Sequence, residues 1–252
     1  MEFQVKDRLS FMRFLNLSLA DRVPDEKTVW SFREGLGKLG LEVKLFEKFD
    51  GCLREHGFIA KKGQIVDASI IASPKQRNTR GENEAIKEGF EPDGWNPAKR
   101  SQKDVDARWV KKNGGTHFGY KNHVQIDAGG KFIRKYAVTD ASVHDSQVFE
   151  SLLDERNSSR EVFADSAYRS KEKESSLKAK GFRPRLQHKG CRNKPLSDRE
   201  IQGNRTRAKI RSRIEHVFGI QTRRAGNLII RTIGIARAKV KISPAHVNAA
   251  LL

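Results

Sequence analysis

The chain has 252 residues, with 50 Lys+Arg against 31 Asp+Glu and a formal net charge of +19, a length that suits one large domain plus a small one. A positive surplus of this size favours a polyanionic partner, nucleic acid well ahead of an anionic membrane, and no apolar stretch approaches spanning length. Met1 to Asp7 has no apolar signal core, and Cys52 and Cys191 supply neither a disulfide framework nor a zinc knuckle, so a reduced, cytoplasmic setting on the nucleoid is the default expectation.

Residues 1–60 read as three helices. Val5, Leu9, Met12 and Leu15 recur at helical spacing, Val29, Phe32 and Leu36 do so after Pro24-Asp25, and Val43, Leu45, Phe46, Phe49 and Leu53 form a third stripe beyond a break at Gly37 to Gly40. This small all-helical module suits a helix-turn-helix-like DNA-binding unit or a cap on the main domain. Residues 64–71 are the first strong strand. The polar, basic stretch 73–116, with Pro74, Gly81, Gly89, Pro92, Gly94 and Pro97, is too long for an ordinary connection and reads as a functional or disordered insertion. Trp95 and Trp109 within it would stack on unpaired bases or form a small local apolar cluster.

Beyond the insertion, Tyr120, Val124 and Ile126 alternate with Lys121, His123, Gln125 and Asp127, which predicts a strand with one buried and one wet face. Asp127 to Gly130 is a turn, and Lys131 to Val138 returns as the hairpin partner. A helix is expected from Ser142, then a short buried strand over Glu161 to Asp165, a helix from Ser170 to Lys180 closed by Gly181, and a further strand over Phe182 to His188. Ser197-Asp198-Arg199-Glu200 is a capping box. It opens a helix expected to run to about Arg224, with Ile210, Ile214, Val217 and Phe218 as its apolar stripe and Arg211 and Glu215 at the border. Three antiparallel strands followed by alternating helices and strands make an α/β, ribonuclease-H-like order, a mixed sheet flanked by helices over residues 61–242. In that order the first and fourth strands are neighbours, which would bring Asp67 beside Asp165.

Three acids stand in costly settings. Asp67 interrupts Ile65-Val66-Asp67-Ala68-Ser69-Ile70-Ile71, Asp165 ends Val162-Phe163-Ala164-Asp165, and Glu215 lies among arginines and apolar residues. A lone charge in apolar surroundings is expensive unless paired or bound to a cation. Converging carboxylates would suit Mg2+ or Mn2+, which prefer hard oxygen ligands. Two ions about 3.5–4 Å apart would serve an in-line displacement at phosphorus, with Asp67 shared between them. Without metal, mutual repulsion would raise the pKa of at least one acid. The bland alternative is three separately salt-bridged surface acids. His123 and Asp127 read as wet-face residues, His144-Asp145 as a helix start, and His216 as a packed helix histidine or a donor to Glu215. No nucleophilic triad and no phosphate-binding glycine loop stands out.

Five ordered motifs then resemble a known family: Ile65 to Ala68, Phe118 to His123, Ala137 to Asp145, Ala164 to Tyr168, and Arg213 to Gly219. They look like the DDE transposases of bacterial insertion sequences, closest to the branch named for insertion sequence five. The likeness runs from about Asp7 to Ile242, and Arg8 to Leu15 resembles that family's amino-terminal region. The resemblance implies a catalytic, metal-binding triad of Asp67, Asp165 and Glu215. It further implies magnesium-dependent cleavage and transfer of double-stranded DNA at terminal inverted repeats, by a homodimer or higher oligomer that pairs two element ends.

Phosphate contacts are expected from Lys121, from Arg183, Arg185, Lys189, Arg192 and Lys194 leading into the last helix, from Arg205, Arg207, Lys209, Arg211 and Arg213 on it, and from Arg223 and Arg224 at its end. Lys99, Arg100, Lys103, Arg108, Lys111 and Lys112 add charge on the insertion. Two departures stand out. Family members usually carry a basic residue seven positions after the Glu, where this chain has Thr222, and residues 243–252 read as an atypical tail in place of an apolar helix. Those departures suit a truncated copy, and the rival expectation is a catalytically inactive transposase that only binds DNA.

Overall fold

In the computed structural model the described residues are 2–112, 114–192, 194–224 and 228–250. The strands are β1 (Gln64–Ala72), β2 (Arg108–Lys112), β3 (Gly115–Asp127), β4 (Ile133–Asp140), β5 (Glu161–Ala164) and β6 (Arg183–Leu186). They form one six-stranded mixed sheet in the order β2-β3-β1-β5-β6, with β4 also paired to β3. β3 runs antiparallel to β1 and β4, whereas β5 is parallel to β1 and β6 parallel to β5. This meander followed by parallel strands is the ribonuclease-H-like arrangement.

Alternation along β1 divides two cores. Ile65 and Ile71 join Tyr120, Val124, Ile126, Ile214, Val217 and Ile242, while Val66 joins Phe149, Val162, Ala164, Tyr168 and Leu177 on the other face. Burial on both faces explains why the predicted wet face of β3 is dry. Lys121, His123, Gln125 and Asp127 are all buried. Asp145 at the start of α7 (Asp145–Val148) lies against Lys121 and His123, a 3-10 turn at Phe149–Leu152 packs on β4, and α8 (Lys171–Ala179) packs on β6. At Gly119 (φ +150°) a Cβ would stand 2.2 Å from the Ile71 carbonyl oxygen, so only glycine lets β3 pass this close to the end of β1.

The polar segment 73–116 is more ordered than its composition implies. It holds α5 (Arg80–Glu88), α6 (Pro97–Ser101) and the edge strand β2. Thr79 and Glu82 form a reciprocal capping box at the start of α5, and Asn96 caps α6. Both caps lie in sequence so charged that no apolar stripe announces the helices. The helix expected at Ser142 starts later, with His144 as its N-cap, because Asp140 takes Ser142 into a tight turn instead. The long last helix is two helices, α9 (Asp198–Arg211) and α10 (Arg213–Arg224), joined at Ser212.

At the amino terminus the first expected helix is split into α1 (Glu2–Asp7) and α2 (Leu9–Phe14), because Arg8 is extended. Then come α3 (Glu26–Leu39) and α4 (Glu42–Glu55). α3 continues through Gly37 and ends on left-handed Gly40. Gly37 lies inside the helix because a Cβ there would come 3.2 Å from the Val240 side chain, a close approach by α11 (Ile235–Ala250). Residues 243–250 are therefore no loose tail: they are the second half of α11, with Ser243 and His246 buried. α11 packs on β3 and β4 and against α3, α4 and α10, and Arg237 grips Glu34 with two hydrogen bonds of 2.7 and 2.8 Å.

Candidate active site

The parallel pairing of β1 with β5 ends at Ile65 and Phe163. Past that point the two strands part, and the crevice between them opens at Asp67 on one side and Asp165 on the other. Asp67 shares its strand parity with Ile65 and Ile71 and so faces α9 and α10. Its Oδ1 accepts the Ala68 N–H at 2.8 Å, and its Oδ2 accepts Arg211 Nη1 at 2.6 Å. Asp165 follows β5 directly and caps the turn Ser166–Tyr168 by accepting the Ala167 N–H at 2.8 Å. Glu215 lies in the first turn of α10 with an exposed side chain, its Oε1 3.8 Å from the same Arg211 nitrogen. The Asp67 and Glu215 oxygens therefore stand no farther apart than those two Arg211 distances laid end to end.

Electrostatics tie all three acids together. Burial is the main force that pushes the Asp67 pKa up, to about 6, with the negative charges of Asp165 and Glu215 pushing the same way and the Ala68 N–H and Arg211 opposing them. Asp67 is only 8% exposed. The Tyr168 hydroxyl is buried without a hydrogen-bond partner among the described residues, and its ionisation is suppressed chiefly by burial and further by Asp67, Asp145 and Asp165. Three oxygen-donor carboxylates, one of them buried and paired with a single arginine nitrogen, are the donor type a hard divalent cation takes. Among the described residues, no three such groups stand in ligand positions as they are; the Arg211 guanidinium lies between two of them.

Several expected site residues lie elsewhere. Lys121 is buried on the opposite face of the sheet, its Nζ 2.9 Å from Asp145 and 2.6 Å from the Val143 carbonyl oxygen, so its charge is engaged within the fold. His123 is buried beside it, 2.9 Å from the Thr139 hydroxyl, and burial lowers its pKa to about 4. Asp127 is sealed under its own turn, accepting N–H bonds from Gly130 and Phe132. His216 is exposed rather than packed. Trp95 donates to Glu82 at 2.7 Å and lies against Lys99, a local cluster, whereas Trp109 is 41% exposed.

Of the expected phosphate contacts, Arg183, Lys189, Arg192, Lys194, Arg205, Lys209 and Arg223 are exposed. Arg185 is paired with Glu161, Arg207 donates to Asn204, and Arg213 donates to the Ala128 carbonyl. The side chain of Arg224 lies outside the described residues. α9 buries none of its residues and carries much of this charge into solvent from the edge of the acidic crevice. Sequence reasoning did not foresee that Arg211 would serve the acids, although its spacing of four from Glu215 is the signal for such a contact. The Tyr168 hydroxyl was also missed; it lies in the quoted Ala164 to Tyr168 motif, but nothing in an aromatic residue after a strand marks it as unpartnered.

A family model described as a transposase DDE domain matches residues 60–243, and a second, described as a transposase domain, matches residues 1–35. The transposase for insertion sequence element IS1106 of Neisseria meningitidis serogroup B is 35% identical over 192 residues, which are 75% of this chain and 64% of that relative's length. A solved piggyBac transposase synaptic complex with hairpin DNA aligns with a TM-score of 0.44 at 10% identity, over 95% of this chain and 56% of that one. No helix among the described residues is long and apolar enough to cross a membrane. Matched along most of its length by the DDE model and by a curated relative, the chain belongs to the DDE transposase family of insertion sequences.

Proposed function

We propose that this protein is the transposase of an insertion sequence, of the branch named for insertion sequence five, cutting and joining double-stranded DNA at the element's terminal inverted repeats. The observation that best supports this reading is that Arg211 reaches both Asp67 and Glu215 while Asp165 follows the strand paired with β1, beside an exposed basic helix. Asp67 is the fixed member, held by β1 and by the Ala68 N–H. Asp165 is held by the turn it caps, and Glu215, exposed on α10, is the adaptable one. Bound there, Mg2+ or Mn2+, as one ion or two, would supply Lewis-acid activation of the attacking hydroxyl and stabilise the leaving oxygen.

The chain's own part is to present hard oxygen ligands and to hold the duplex. Exposed Arg205 and Lys209 on α9, with Arg183, Lys189, Arg192 and Lys194 leading to it, are placed to contact backbone phosphates, which position DNA without reading its sequence. The amino-terminal helices are the second DNA-contacting or assembly unit in this reading. They leave Phe3, Phe14, Leu19, Trp30 and Phe32 exposed, apolar surface of the kind that partners cover, which supports action as a homodimer or higher oligomer.

The test uses linear DNA carrying the inverted repeats that flank the gene, incubated with the full chain and Mg2+ or Mn2+. The expected result is nicking at the element ends that exposes 3′ hydroxyls, lost in Asp67→Asn. Binding without cleavage would instead identify an inactive DNA-binding relative. Full cleavage by Asp67→Asn would discard the assignment of the acids.

A further inference from the structure

We propose that Arg211 is an internal cation that occupies the space between the catalytic acids and must withdraw before divalent metal can enter, so that metal and guanidinium compete for one site. The proposal rests on the reading of Asp67, Asp165 and Glu215 as metal ligands.

Arg211 Nη1 stands 2.6 Å from Asp67 and 3.8 Å from Glu215, and both carboxylates repel each other across it. The hold is a poor one. The same Nη1 serves both acids, and the buried Nε has no partner among the described residues. A guanidinium that stays put usually engages an acid through two parallel N–H groups. Arg237 does so with Glu34, while Arg54 spreads two nitrogens over Asp50 and Asp154.

Position favours departure as well. Arg211 is the last residue of α9, a helix with no buried residue, and α10 starts after Ser212. Its side chain, already 24% exposed at the helix end, leaves toward solvent by rotating rather than by unpacking a buried helix. Charge supplies the drive: one guanidinium faces the two carboxylates of Asp67 and Glu215, and a divalent ion neutralises more of that charge at shorter range. Arg211 therefore keeps the metal-free crevice closed to weak cations and sets a threshold concentration for loading. The withdrawn side chain joins the exposed basic residues of α9.

Mn2+ binding to the full chain, measured by calorimetry and by the loss of free-ion paramagnetic resonance signal, tests this without any need for activity. Arg211→Gln should bind Mn2+ about tenfold more tightly than the native chain, a coupling of ordinary allosteric size. Arg199→Gln removes the same charge from the same helix away from the acids and should stay within about twofold. Asp67→Asn should lose the site. Equal or weaker binding by Arg211→Gln, with Asp67→Asn still losing it, overturns the competition and leaves the metal-ligand reading intact. Mn2+ binding unaffected by Asp67→Asn sinks that reading, and the competition with it. Should Arg211→Gln melt early, Arg211→Met keeps the side-chain length and makes the same comparison.

Discussion

Two clusters of acids and arginines lie against this sheet, one buried and one with Asp67 buried and Glu215 exposed, and they are paired to different degrees. The first joins α4 to β4 and the loop before β5. Asp50 accepts from Arg54 at 2.6 Å and from Arg134 at 2.7 Å, Arg54 also reaches Asp154 at 2.9 Å, and Arg134 further donates to the Phe58 carbonyl. Asp154 takes the Arg156 N–H, and Asp127 takes two backbone N–H groups from its own turn. Each of these carboxylate oxygens has a donor, and Arg134 Nε, without a hydrogen bond among the described residues, still lies 3.4 Å from Asp127, so the cluster clamps α4 to the sheet. The second cluster has the same ingredients but one loosely held arginine for three acids. A buried charge is costly unless it is fully paired, and the difference between the two clusters is what the proposed metal-ligand role of the second would explain.

Substitutions should separate the two clusters sharply. The largest effect belongs to the open one: Asp67→Asn, Asp165→Asn or Glu215→Gln should each cut DNA cleavage by at least about a thousandfold, about 4 kcal/mol of barrier, with the circular dichroism spectrum unchanged. In the closed cluster the loss should appear as stability. Arg134→Met strands Asp50 and Asp127 in the interior and should cost about 3–5 kcal/mol in a denaturant melt. If Arg134→Met proved as stable as the native chain, the distinction between a clamp and a ligand site would dissolve.

The pH response sharpens the contrast further. With Asp67 raised to about 6 from its ordinary 3.8, the folded chain holds a proton there that the unfolded chain has already released. Stability from this group therefore falls as pH rises through 3.8 to 6, and the full penalty persists above 6. Metal-free Asp67→Asn should melt a few °C above the native chain at pH 7.5, with the gap narrowing as pH falls toward 4. His123 and His246, held neutral by burial with pKa values near 4 and about 3, push the other way in both proteins, because the unfolded chain gains protons first as pH drops below 6.5. They cancel in the difference. The smallest effect concerns the rim: Arg205→Gln should weaken DNA binding modestly and lower the slope of log affinity against log salt by about 0.9.

Much of this could be read from the residues. An apolar run with a single charged interruption located β1 and Asp67, and the Ser197–Glu200 capping box located α9. What stayed hidden shares one physical cause, that tertiary cover is not written locally. Lys121, His123 and Gln125 alternate like a solvent face, yet all three are buried, with Asp145 of α7 against Lys121 and His123. Gly37 looks like a helix breaker and is instead the gap that admits Val240. The caps at Thr79 and Asn96 sit in sequence whose charge obscures them, and the break at Ser212 has no glycine or proline to mark it.

Whether the acids at the end of β1 share a metal can be asked without knowing the element's ends. Loading the chain with Fe2+ in place of Mg2+, then adding ascorbate and peroxide, cuts the backbone wherever the iron is held. Cuts should cluster near residues 67, 165 and 215 and fade with excess Mg2+. Cuts spread along the basic surface, or a pattern indifferent to Mg2+ and to Asp67→Asn, would contradict the account.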